Sequence, residues 1–161
     1  MLELTSSIII RIPTIIFSEV VLSYINPESI PEIEKIIAAH FDEVVYLNYE
    51  VLNSSDRFGK KMIENFQNYG IPLKGIISYP NVLSIRNRLN QNGFSKVDIN
   101  NMKNIYHFGI NADKRKEIDS IEWLDEYEEF DLIQEHYFLA VSSKSLSNSD
   151  NITGIGLNAL K

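Results

Sequence analysis

The chain has 161 residues, 44% hydrophobic and 23% charged, a balance that fits a single domain with a real core and excludes a disordered chain. Its net charge of -7 argues against nucleic acid or an anionic membrane surface as the main partner. The absence of cysteine excludes disulfides, thiolate metal sites and a thiol nucleophile.

The histidines, His40, His107 and His136, share no ligand spacing, so no metal site is expected. The N-terminus is apolar but has no basic leader, and Arg11 and Glu19 interrupt it. No stretch approaches the length of an uncharged membrane span, so the expected location is the cytoplasm.

The elements follow in chain order. Ile8 to Phe17 is β-branched and apolar, the pattern of a strand buried on both faces as in a parallel sheet. Pro13 interrupts it, so the strand proper is expected from Thr14. Glu19 stands among Phe17, Val20, Val21 and Leu22, unusual company for a carboxylate. Two helix starts are offered, Asn26-Pro27 and a capping box of Ser29 with Glu32. The helix after them places Ile33, Ile36, Ile37 and Phe41 on one face.

Glu43 to Leu52 reads as a second strand, followed by a turn, Asn53 to Asp56, rich in N-capping residues. Phe58, Met62, Phe66 and Tyr69 form a helical stripe read as core packing, closed by Gly70 and Pro72. Pro80 to Asn92 is a helix with Val82, Ile85 and Leu89 inward and Gly93 as terminator. Phe94 to Ile99 is a short strand, and Met102, Ile105 and Tyr106 suggest a helical turn. Asn111 to Gln134 is charged and helical, with Ile118, Ile121 and Leu124 on its apolar side and a break near Asp125. His136 to Ser143 is the last strand.

Residues 1–143 are therefore read as one α/β unit with a largely parallel sheet, and 144–161 as a polar, flexible tail. In such sheets ligands bind outside the carboxyl ends of the strands, where Glu19 and the pair Tyr49-Glu50 stand.

Four blocks, in one order over about residues 12 to 143, carry a family resemblance: FSEVVLSYINPES, YEVLNSSDRFGKKMIENF, RNRLNQNGF and IDSIEWLDEYEEFDLIQEHYFLAVSS. Together they resemble the C-terminal half of leucine carboxyl methyltransferases. The resemblance implies a class I methyltransferase (Rossmann-like) fold, of which this chain supplies the fourth to seventh strands. It implies S-adenosylmethionine as cofactor, with Glu19 contacting it. It implies methyl esterification of the C-terminal leucine of a 2A-type protein phosphatase catalytic subunit, with Tyr24 and Arg57 as substrate-side candidates. No side-chain acid or base is required, because the accepting carboxylate is already ionised at neutral pH; no catalytic residue is assigned.

The family's glycine-rich cofactor loop and ribose-binding acid have no counterpart in this sequence, so the cofactor site is expected to be incomplete and the chain inactive alone. A non-catalytic phosphatase-binding module and an inert truncated product are the competing readings. A strand that is central in the complete sheet is left here with a bare edge, so self-association through residues 14–18, or cover by Met1 to Ile10, is expected.

Other roles are open for the same residues. Glu19 is also readable as a strand-end carboxylate bonded to backbone N–H groups, Tyr24 as an aromatic staple, and Glu50 as a polar strand end facing water. Arg57 is also readable as a surface arginine paired with Asp56. The acidic cluster Glu126, Glu128, Glu129 and Asp131 reads as a solvated helix face, and His107 and His136 as structural.

Overall fold

The computed structural model describes residues 10–121, 124–145 and 157. A four-stranded sheet, β1 (Thr14–Glu19), β2 (Glu43–Val51), β3 (Lys96–Asn101) and β4 (Tyr137–Ser145), is flanked by helices. Its order is β1-β2-β4-β3. β1 and β2 run parallel, whereas β4 is antiparallel to both its neighbours, β2 and β3. The α/β class is as expected, but the sheet is mixed rather than largely parallel. The last strand enters between two earlier ones instead of joining an edge by a crossover.

The helices are α1 (Ser29–His40), α2 (Arg57–Asn68), α3 (Lys74–Ser78), α4 (Val82–Gln91), α5 (Met102–Asn104), α6 (Ala112–Asp119) and α7 (Tyr127–Gln134). α5 runs into a π-helical turn, Ile105–Gly109. The expected break near Asp125 is the gap between α6 and α7, while α3 has no counterpart in the sequence reading. Among the described residues no helix is long and apolar enough to cross a membrane, and no group of His, Asp or Glu is placed to hold a metal ion.

One face of the sheet packs the main core: Val44, Tyr46, Ile99, Phe138 and Ala140 from the strands meet Ile85 and Leu89 of α4 and the buried Phe94. On the other face Val45 and Val141 meet Ile105 and Leu157. A third cluster, Val51, Leu73 and Ile76, lies beyond the end of β2 and is flanked by Met62, Ile63 and Phe66 of α2.

Several expectations are corrected. β1 begins at Thr14 as expected but is not buried on both faces: Ile15 and Phe17 are 66% and 57% exposed. Among the described residues β1 is an edge strand with β2 as its one neighbour, and no described element covers that face. Neither proposed cap starts α1; its N-cap, Glu28, makes no side-chain cap bond. The buried stripe of α1 is Ile30, Glu34 and Ala38, and Ile36 is exposed. Glu34 can turn inward because Arg88 and Asn92 of the α4 end meet it: Asn92 Nδ2 donates at 2.7 Å and the Arg88 Nη2 lies at 3.0 Å. Tyr79 in turn stacks under the Arg88 guanidinium, 4.3 Å from ring centre to Cζ.

Tyr69, at the end of the α2 stripe, is exposed, because Gly70 at φ +76° ends the helix there. Ile118 and Ile121 are exposed too, so they form no packed side. Lys144 and Ser145 belong to β4 rather than to a tail, and Lys144 donates to the backbone oxygens of Ala38 and Phe41. The rest of the predicted tail lies outside the described residues, except Leu157, which is buried and donates its backbone N–H to Asp98. Residues 1–9, offered as a cover for the strand edge, also lie outside them.

Candidate functional site

The candidate site lies at the carboxyl ends of the parallel pair β1–β2. Its shape follows from how the chain leaves β1. Tyr49 O accepts the Val20 N–H at 2.8 Å, which prolongs the ladder by one bond. Val20 then turns at φ +48°. A β-branched side chain in the left-handed region is strained by roughly 1–3 kcal/mol and persists only where its surroundings dictate it.

What dictates it is Glu50, 3% exposed at the end of β2. Its Oε1 accepts the backbone N–H groups of Val21 and Leu22, both at 2.7 Å. Its Oε2 accepts the Ser23 N–H at 3.1 Å and the Ser23 hydroxyl at 2.6 Å. One carboxylate thus satisfies the orphan donors of the short 3-10 turn Leu22–Tyr24 and clamps the loop after β1. The loop is also wedged from outside: a Cβ on Gly75 of α3 would sit 2.3 Å from Leu22 O. Glu50 is therefore not a water-facing strand end; it is the buried anchor of the loop.

The strand-end carboxylate bonded to backbone N–H groups exists, but it is Glu50 and not Glu19. Glu19 is exposed and has no hydrogen-bond or ion-pair partner among the described residues. In the parallel register it stands beside Tyr49. Both lie on the face that carries Ile15 and Phe17. Tyr49 stacks against Tyr137 of β4, ring centres 5.5 Å apart and planes 9° from parallel. Partial burial, then Tyr137 and the Glu19 charge, push the Tyr49 phenol above its ordinary value of 10.0. On the opposite face, the fully buried Asn48, in register with Ser18, has no side-chain hydrogen-bond partner among the described residues.

Tyr24 emerges from the clamped turn, 39% exposed, with its ring 6.5 Å from that of Phe66 on α2. That contact is the staple between loop and helix, and it leaves part of the ring open.

The turn Asp56-Arg57-Phe58-Gly59 separates into three structural residues and one without a partner among the described residues. Asp56 caps α2, accepting from Gly59 N at 2.7 Å, and also accepts from Nε2 of His136 at 2.9 Å. His136 is 1% exposed, and its Nδ1 bonds Leu132 O at 2.8 Å. Burial acts on Asp56 to raise its carboxyl, but the Gly59 N–H and His136 outweigh it, and the net position is below the ordinary 3.8. Phe58 packs on the His136 ring, centres 4.3 Å apart. A Cβ on Gly59 would lie 2.0 Å from Asn53 O, so the close approach of turn and helix needs glycine.

Arg57 is exposed and, contrary to the pairing considered from the sequence, does not bond Asp56, which is taken by His136; no described residue partners it. His136 is structural, as expected, with both ring nitrogens bonded. His107 is tied to Asp131, 2.7 Å from Nε2 to Oδ1, and Asp131 also faces Lys103, so that acidic residue is part of a network rather than a solvated face.

The structure therefore brings together Glu19, Tyr49 and the Glu50-clamped loop that carries Tyr24, and places Arg57 at the start of the helix that Tyr24 touches. The sequence reading missed the clamp. Its only signal was a second glutamate at a strand end, and nothing local separates a carboxylate that binds backbone from one that faces outward.

No protein-family model matches the chain. The human tRNA wybutosine-synthesizing protein 4 is 33% identical over 132 residues, 82% of this chain and 19% of that protein. Rat leucine carboxyl methyltransferase 1 is 33% identical over 134 residues, 83% of this chain and 40% of that protein. The leucine carboxyl methyltransferase 1 homolog of Arabidopsis thaliana is 30% identical over 128 residues, 80% of this chain and 39% of that protein. Among solved structures, Haemonchus contortus phosphoethanolamine N-methyltransferase 2, in complex with phosphomonomethylethanolamine and S-adenosylhomocysteine, superposes with a TM-score of 0.44 at 14% identity, over 81% of this chain and 33% of that one. The chain spans about a fifth to two-fifths of the length of the curated relatives it matches. The resemblance read from the sequence thus holds: this chain is a relative of the leucine carboxyl methyltransferases, aligned with a C-terminal portion of them.

Proposed function

We propose that this chain forms the substrate-side half of an S-adenosylmethionine-dependent methyltransferase that esterifies a C-terminal leucine carboxylate on a 2A-type protein phosphatase catalytic subunit. The observation that carries the reading is Glu19: a carboxylate without a partner among the described residues, at the carboxyl end of a parallel strand, next to a loop held under strain by a buried clamp. A free acid so placed fits the ammonium of the cofactor, which it would hold by a charge-assisted hydrogen bond. S-adenosylmethionine, when bound, supplies an activated methyl group.

The remaining tasks fall to this chain's own groups. The accepting carboxylate is ionised at neutral pH, so no base is called for. What the reaction needs is alignment, which can be worth roughly 7–11 kcal/mol of barrier. The Glu50 clamp would provide it by fixing the loop that carries Tyr24. Arg57, a cation without a partner among the described residues, would attract the carboxylate of the substrate tail. The net charge of -7 disfavours tRNA as the ligand of this portion, which weighs toward the phosphatase rather than the substrate class named for the wybutosine-synthesizing relatives.

The sequence has no glycine-rich turn after an early strand, so the chain by itself is proposed to be inactive. The decisive experiment joins this chain to the upstream portion of a leucine carboxyl methyltransferase and supplies radiolabelled S-adenosylmethionine with a phosphatase catalytic subunit. Alkali-labile methyl ester on the subunit is expected with the joined protein and none with this chain alone; no ester from the joined protein refutes the reading. Capture of the phosphatase by this chain, together with no methylation by the joined protein, would favour the non-catalytic binding module instead.

A further inference from the structure

We infer that Tyr49 is a ligand-binding residue, and that it forms with Glu19 a corner for an organic cation, the carboxylate supplying charge and the phenol ring its face. The inference deepens the methyltransferase reading and rests on it for the identity of the ligand: a sulfonium or ammonium group of the cofactor.

The geometry is as follows. Glu19 and Tyr49 are register partners on adjacent parallel strands, so their side chains leave the same face of the sheet side by side. On the β4 side Tyr49 is occupied: Tyr137 stacks on it at 5.5 Å with nearly parallel planes. The other side of the ring is the β1 side, where Glu19 stands. Among the described residues no second ring stacks on that side, so a cation drawn to Glu19 arrives over the other face of a ring whose orientation is already fixed by stacking. Tyr137 removes the freedom that an isolated surface tyrosine would lose on binding.

The neighbourhood discriminates further. Ile15 and Phe17 occupy the positions before Glu19 on the same face and are open to solvent. An apolar floor leading to a carboxylate and an aromatic ring suits an organic cation, the sulfonium or ammonium of the cofactor, better than a metal ion, which would forfeit hydration without enough oxygen ligands. Glu19 is exposed and unpaired among the described residues, so ligand binding displaces no ion pair formed by them.

The test uses this chain with tetramethylammonium chloride, followed by NMR at constant ionic strength. Saturable upfield shifts of the ligand methyl protons, caused by the tyrosine ring, are expected. Tyr49→Phe should bind as the wild type does, because the ring and not the hydroxyl is used. Tyr49→Leu and Glu19→Gln should each weaken binding by about fivefold or more. Glu19 is exposed and has no partner among the described residues, so its variant keeps the test valid if Tyr49→Leu disturbs packing against Tyr137. No saturable shift in the wild type, or equal affinity in Tyr49→Leu that folds normally, overturns the inference. S-adenosylmethionine is then added as competitor to the protein in which this chain is joined to the upstream portion of a leucine carboxyl methyltransferase, which completes the cofactor site. If it displaces tetramethylammonium from the wild type but acts equally on Tyr49→Leu, Tyr49 has no role while the methyltransferase reading stands. If tetramethylammonium binds as expected and S-adenosylmethionine does not displace it, the corner stands and the methyltransferase reading fails.

Discussion

Replacing Glu50 by alanine should uncouple the loop after β1 from the sheet. In the native protein the carboxylate receives four hydrogen bonds, from the backbone of Val21, Leu22 and Ser23 and from the Ser23 hydroxyl, in surroundings that leave Glu50 and Ser23 3% exposed each. Alanine leaves those donors without an acceptor. A buried polar group so stranded costs about 1–3 kcal/mol. Relaxation of the loop into water would relieve some of them, so a total of roughly 3–6 kcal/mol is expected from the same scale. That is a large share of the stability of an ordinary domain, about 5–15 kcal/mol.

Glu50→Gln should cost less, because one oxygen still accepts while the amide nitrogen faces N–H donors. Chemical denaturation measures the loss, and amide hydrogen exchange locates it: protection at residues 21–23 should collapse before that of β2. Val20→Gly is the complementary change. It relieves a φ of +48° that glycine tolerates, so it should be neutral or stabilising by up to about 1 kcal/mol despite glycine's entropy cost. A loss below about 1 kcal/mol for Glu50→Ala, judged against the range for unmet buried donors, with exchange at 21–23 unchanged, would refute the clamp.

Gly59→Ala should destabilise by about 3 kcal/mol or prevent folding, since its Cβ would lie 2.0 Å from Asn53 O; a thermal melt near wild type would contradict that contact. The Asp56 carboxyl sits below its ordinary 3.8, so its contribution is present above that value and is lost as pH falls through the lower folded value. Asp56→Asn should therefore flatten the acid limb of stability against pH below 3.8, measured by denaturant titration in stepped buffers. Glu19→Gln should leave stability within about 0.5 kcal/mol of wild type while weakening tetramethylammonium binding by about fivefold or more; a folding defect would mean that Glu19 has a structural partner after all. Self-association through β1 is proposed from its unpaired edge and the open Ile15 and Phe17 face. Sedimentation should then show a concentration-dependent dimer that Phe17→Lys dissociates, and a monomer at all concentrations would refute it.

Much of the fold was legible locally. β-branched runs marked β1 and β2, Asp56 announced the start of α2, and Gly70 and Gly93, at φ +76° and +106°, ended α2 and α4 where glycine was expected to. These are one-turn decisions made by backbone sterics and capping, and neighbours in sequence suffice for them. Glu19, Tyr24 and Arg57 were likewise singled out from motif blocks. What they do relative to one another was not legible, because it depends on contacts across 27 to 29 positions in the clamp and 80 between Asp56 and His136.

Sequence by itself determined the α/β class, the ends of most elements and the family relationship, since periodicity, caps and motif blocks are properties of short stretches. Tertiary structure alone decided which glutamate is bound and which is free. Both stand at strand ends in apolar company, but the chain after Glu19 folds back over the end of β2 and presents its N–H groups to Glu50. The same turn leaves Glu19 on the open face beside Tyr49. A carboxylate takes its role from the donors that reach it, and only the path of the chain in space brings them there.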